Sequence, residues 1–121
     1  MRKVLTAAAL AATAIIPVAA APATAAGSAA DKCNAGEFCL WGRTNFGGPR
    51  QLHELDGTAI ESCVVLPESE PARSFVNRTG RPVTTYQSAT CASEAEFDTY
   101  PSGTLVPESP YTVRAFKIWE R

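Results

Sequence analysis

The sequence predicts a small all-β domain, a two-sheet sandwich or small barrel stapled by disulfides. Three observations carry this. Helical periodicity is absent after Ala30, while Gly and Pro interrupt the chain every few residues. Between those interruptions lie eight short apolar or alternating segments, the pattern of an architecture built from many short strands. Four cysteines, Cys33, Cys39, Cys63 and Cys91, all fall in this same stretch, and an even number in so short a domain reads as two disulfides.

The first residues stand apart from that domain. Arg2 and Lys3 give a short positive start, Val4 to Ala21 is an Ala-rich apolar run broken by Pro17, and Ala23-Thr24-Ala25 is a small-x-small cleavage pattern. Residues 1–25 are therefore expected to be a signal peptide, 26–32 a short N-terminal segment and 33–121 the domain itself. A permanent membrane anchor fits worse, because Ala is only mildly apolar and no stop-transfer charges follow. The mature chain is expected to be secreted and monomeric, with no membrane attachment. Without Arg2 and Lys3, nine basic residues oppose twelve acidic ones, a net charge of −3. That balance gives no electrostatic footprint for nucleic acid or for anionic membranes.

The strands follow in order. Phe38-Cys39-Leu40-Trp41 is a short apolar strand that ends at Gly42. Gln51 to Leu55 alternates and stops at the turn signal Asp56-Gly57. Cys63-Val64-Val65-Leu66 is closed by Pro67, and Arg73 to Asn77 ends before Thr79-Gly80. After Pro82 the pattern restarts with Val83 to Tyr86, Glu96 to Tyr100, Thr104 to Val106 and Thr112 to Trp119. The two halves look like copies. Trp41 is followed five residues on by Phe46 and two further by Gly48, as Tyr86 is by Cys91 and Ser93. Arg73-Ser74-Phe75 closes the first half and Arg114-Ala115-Phe116 the second. Two copies of four strands fit a pair of Greek keys packed face to face, since propellers and solenoids need three or more repeats.

A domain this small buries little surface and needs staples. Zinc is the rival use of the four cysteines, but structural zinc wants ligand pairs separated by only two to four residues, which this spacing lacks. As disulfides, the four thiols allow three connectivities.

The segment Trp41-x4-Phe46-x-Gly48 is similar to the signature of the βγ-crystallins, with Ser74 at the position of their fourth-strand serine. Its physical basis is a folded hairpin in which two rings meet over a turn and the glycine adopts a backbone closed to other residues. With the opening Cys33-Asn-Ala-Gly-Glu-Phe-Cys39 and the segment Ala72-Arg73-Ser74-Phe75-Val76-Asn77, the chain resembles the actinobacterial secreted metalloproteinase-inhibitor family, over residues 33 to about 119. The resemblance implies a βγ-crystallin-like sandwich of two Greek keys. It implies the pairing Cys33–Cys39, and hence Cys63–Cys91, worth about 2.4 and about 3.6 kcal/mol by loop entropy. It further implies an extracellular proteinase partner, most naturally a zinc-dependent one, engaged through a substrate-like loop in the C-terminal half. Here that loop is Gln87 to Glu96, with Thr90, Cys91, Ala92 and Ser93 at its centre. No second cysteine follows nearby, so the loop is tied back to Cys63 rather than closed locally. Ala92 stands where a thermolysin-like enzyme prefers a larger apolar residue. The alternative is a non-inhibitory, crystallin-like structural or ligand-binding module.

No catalytic machinery is expected. His53 is the single histidine, with neither a second histidine nor a free thiol to serve, and reads as a strand residue. Glu94, Glu96 and Asp98 share a strand face by period-two spacing, a solvated edge or an oxygen cluster for Ca²⁺. The other calcium candidate, Ser69 to Ser74, carries Arg73 where a hydroxyl ligand is wanted, so no metal and no cofactor are expected. Asn77-Arg78-Thr79 matches a glycosylation sequon but reads as a strand end. Trp41, Tyr86, Tyr100 and Tyr111 could form a stacking surface for a carbohydrate, although no specific motif supports one.

Overall fold

The computed structural model describes residues 31–121. The expected signal peptide and residues 26–30 lie outside the described residues. All eight predicted strands are present: β1 Glu37–Arg43, β2 Gly47–Glu54, β3 Val64–Val65, β4 Ser74–Asn77, β5 Val83–Tyr86, β6 Phe97–Tyr100, β7 Leu105–Val106 and β8 Ala115–Ile118. A short 3-10 turn at Leu55–Gly57 ends the first hairpin, where Asp56-Gly57 signalled a stop. No helix among the described residues is long and apolar enough to cross a membrane.

The strands form two four-stranded antiparallel sheets, ordered β2-β1-β4-β7 and β3-β8-β5-β6. Each half contributes its first, second and fourth strands to its own sheet and sends its third strand to the edge of the other. β3 thus pairs with β8 through Val64↔Phe116, and β7 pairs with β4 through Phe75↔Val106.

Alternation sets the faces. From β1, Phe38 and Leu40 point between the sheets; Phe38 sits 5.7 Å from the Phe75 ring and 4.8 Å from Phe116. Leu66, Val83, Val113 and Ile118 complete that core. The opposite face of β1 builds a second, smaller cluster in which Trp41 and Val76 pack with the Cys33–Cys39 disulfide, flanked by Phe46 and Leu105. The second disulfide is Cys63–Cys91, and no cysteine is free.

Candidate functional site

Each half has a hairpin after its first strand, and the first of these explains the geometry of the other. Asn45 and Phe46 take left-handed backbone, φ 57° and 59°, and Gly48 follows at φ 80°. A Cβ on Gly48 would lie 3.1 Å from Arg43 Cγ, so both the backbone angle and the space favour glycine. The turn brings the Phe46 ring edge-on to Trp41, with centroids 5.3 Å apart and planes at 79°. Ser74, fully buried on β4 opposite Trp41, locks it: its Oγ accepts the Phe46 N–H at 3.0 Å and donates to the Arg43 carbonyl at 2.6 Å.

The second hairpin, between β5 and β6, shares one left-handed residue with the first but not its chemistry. Cys91, five residues beyond Tyr86 as Phe46 is beyond Trp41, has φ 56°. Tyr86 finds its ring partner in Phe97 instead, stacked at 5.9 Å, and Ala115 stands opposite Tyr86. The base of the loop is closed by the Gln87 N–H donating to the Glu96 carbonyl at 2.9 Å. Within it, Thr90 N–H donates to Ser88 Oγ at 3.1 Å, and Cys91 N–H reaches the Ser88 carbonyl at 3.4 Å. Thr90 and Ser93 are exposed, whereas Cys91 and Ala92 are half-buried. The four residues singled out at the loop centre therefore lie together, with the two half-buried residues Cys91 and Ala92 flanked by the exposed Thr90 and Ser93. Cys63–Cys91 fastens this loop to the start of β3.

Beside the loop lies a shallow cleft of about 360 Å³, lined by Val65, Leu66, Pro67, Pro71, Ala89 and Arg114. Sequence reasoning missed it. Cys63 to Leu66 reads only as an apolar strand, whereas β3 is an edge strand and Val65 is 55% exposed, the most open large apolar side chain among the described residues.

Other sequence readings resolve as follows. Glu94 and Glu96 precede β6 and lie in the loop, so only Asp98 of the acidic trio is a strand residue, and it accepts the Thr99 N–H at 2.9 Å. Trp41, Tyr86 and Tyr111 are all buried, which removes the stacking surface, and Tyr111 donates to the Thr85 carbonyl at 2.9 Å. Burial pushes the Tyr111 phenol up to about 12. His53 packs edge-on to Phe116 at 4.9 Å, its buried Nε2 has no partner among the described residues, and desolvation lowers its pKa below the ordinary 6.5. Asn77, fully buried at the end of β4, donates to the Arg81 and Tyr100 carbonyls and accepts from Thr79, so the sequon asparagine is a structural residue. The closest grouping of ligand-type side chains among the described residues is Cys33, Glu37 and Cys39, whose two sulfurs are a disulfide and so unavailable as thiolates. In the Ser69–Ser74 loop, the Ser74 hydroxyl is already committed to the hairpin.

The sequence profile of peptidase inhibitor family I36 matches residues 26–97, more than half of the chain. The chain belongs to peptidase inhibitor family I36. No curated protein and no solved structure matches it. Membership makes this inhibitor a non-enzyme whose partner is a proteinase, and agrees with the family suggested by the Cys33 to Cys39 opening and the Ala72 to Asn77 segment together with the Trp41, Phe46 and Gly48 pattern. The match runs from ahead of Cys33 to the first residue of β6, so the whole β5–β6 loop of the inhibitor falls within it.

Proposed function

We propose that this family I36 member is a secreted inhibitor of metalloproteinases and that its β5–β6 loop is the segment that enters the proteinase cleft. The observation that carries the reading is the tethered exposure of that loop: Thr90 and Ser93 face solvent while Cys91 is covalently held to Cys63 at the edge of a rigid sandwich. A loop already fixed in its bound shape loses little entropy on docking, and binding residues concentrate on loops carried by rigid scaffolds. The strand order, with third strands traded between halves, supports two Greek keys of βγ-crystallin type as that scaffold. The positive n-region, Ala-rich run and Ala23-Thr24-Ala25 support export before the inhibitor meets its target.

In this reading Ala92 occupies the primary pocket and fills it poorly. The test is titration of the purified mature chain against a panel of secreted zinc and serine proteinases. Weak inhibition of a thermolysin-like zinc enzyme is expected. Ala92→Leu adds three apolar carbons worth about 0.8 kcal/mol each, so it should lower the inhibition constant roughly 60-fold, with Ala92→Val between. Thr58→Ser, in the connection from β2 to β3, should leave it unchanged. An inhibition constant indifferent to Ala92→Leu, or a panel with no inhibited enzyme, would move the site off this loop and favour a non-inhibitory module.

A further inference from the structure

The two halves close their equivalent hairpins by different means, and the difference falls on matched positions. Trp41 pairs across its sheet with Ser74, and Tyr86 pairs with Ala115. Phe46 and Cys91 occupy the same step beyond those aromatics and share left-handed backbone, φ 59° and 56°. That conformation is unfavourable for any residue with a Cβ, so it persists only where something holds it. In the first half the holder is the Ser74 hydroxyl, bonded to Phe46 N–H and to the Arg43 carbonyl. In the second half the matched residue is Ala115, fully buried, which offers a methyl group and no hydrogen bond. Cys91 N–H keeps only a long 3.4 Å contact to the Ser88 carbonyl. Its side chain, however, is bonded to Cys63.

We propose that Cys63 is a positioning residue: acting through Cys91, its disulfide replaces the hydroxyl clamp that Ala115 cannot supply and keeps the β5–β6 loop in its left-handed turn. This differs from a general staple. A cross-link that only restricts the unfolded chain stabilises every strand alike, whereas a clamp protects the loop itself. The consequence for inhibition rests on the reading of this loop as the proteinase-facing segment: once untethered, it must be ordered at docking and binds more weakly.

Amide hydrogen exchange separates these roles without any proteinase. In Cys63→Ser/Cys91→Ser, the hydrogen-bonded loop amides of Thr90 and Cys91 should exchange about tenfold faster, while those of Thr85 and Phe116 in the flanking strands change far less. Adding Ala115→Ser restores a hydroxyl at the matched position and should recover about threefold of that protection, as one hydrogen bond would. If the double variant fails to fold, the wild type treated with a mild dithiol supplies the same reading, because Cys63 and Cys91 are half-buried while Cys33 and Cys39 are fully buried. Loop exchange that is unchanged by loss of the disulfide, that rises equally in β5 and β8, or that ignores Ala115→Ser would overturn the proposal. If exchange responds as expected but no proteinase is inhibited, the clamp stands and the reading of the loop as inhibitory fails.

Discussion

Removing the Ser74 hydroxyl tests how much one buried side chain contributes to this fold. In Ser74→Ala, Phe46 N–H loses a 3.0 Å acceptor and the Arg43 carbonyl loses a 2.6 Å donor. Arg43 is exposed, so its carbonyl can be rehydrated. Phe46 is half-buried and its N–H points at the vacated site, so this donor bears most of the penalty. A typical hydrogen bond is worth about 1 kcal/mol net, and an orphaned buried donor costs about 1–3 kcal/mol, giving a loss of about 2 kcal/mol. For a domain of this size, that lowers Tm by roughly 8–16 °C. The assay is urea unfolding of the oxidised protein, followed by the fluorescence of its two tryptophans, of which Trp41 meets Phe46 edge-on. The midpoint should fall with the slope m unchanged, since the surface exposed on unfolding is the same. A loss under about 0.5 kcal/mol would mean that solvent reaches Phe46 N–H, and the hydroxyl would then not be the clamp described.

Three further outcomes follow from the same geometry. The folded state disfavours charging His53, so its unfolded form binds more protons below the ordinary pKa; stability should be complete above pH 6.5 and decline as pH falls through it, and His53→Gln should flatten that part of a melting-temperature profile. Tyr111 behaves oppositely: its folded pKa is raised from 10.0 to about 12, so stability should hold below pH 10 and fall as pH rises toward 12, a slope that Tyr111→Phe removes in alkaline urea titrations. Excess Ca²⁺ and chelator should give the same melting temperature, because Ser74 is committed elsewhere; a rise of several degrees with calcium would contradict this.

Most of the strand pattern was legible because turns and strands leave opposite signatures in the chain. The start of β2 was not, since Gly47-Gly48-Pro49 reads as loop although Gly47 pairs with Arg43 and Arg50 with Trp41. The exchange of third strands was also hidden: Val64 and Phe116 are distant in sequence, and nothing local to either names the other. The same is true of the open position of Val65, because an edge strand and a central one carry the same apolar letters. For the candidate site, the loop and its disulfide were legible through the resemblance. The clamp was not, since the contrast between Ser74 and Ala115 has meaning only once Trp41↔Ser74 and Tyr86↔Ala115 are known to be equivalent pairs.

The position of β8 bears on when the domain can fold. β8 lies between β3 and β5, so β3 has no partner, and its sheet only a hairpin, until residues near Ile118 have been made. Loop closure over such separations is slow compared with local turns. The second sheet is therefore completed by the most C-terminal of the described strands, so its core cannot close around Phe116 and Ile118 before β8 arrives.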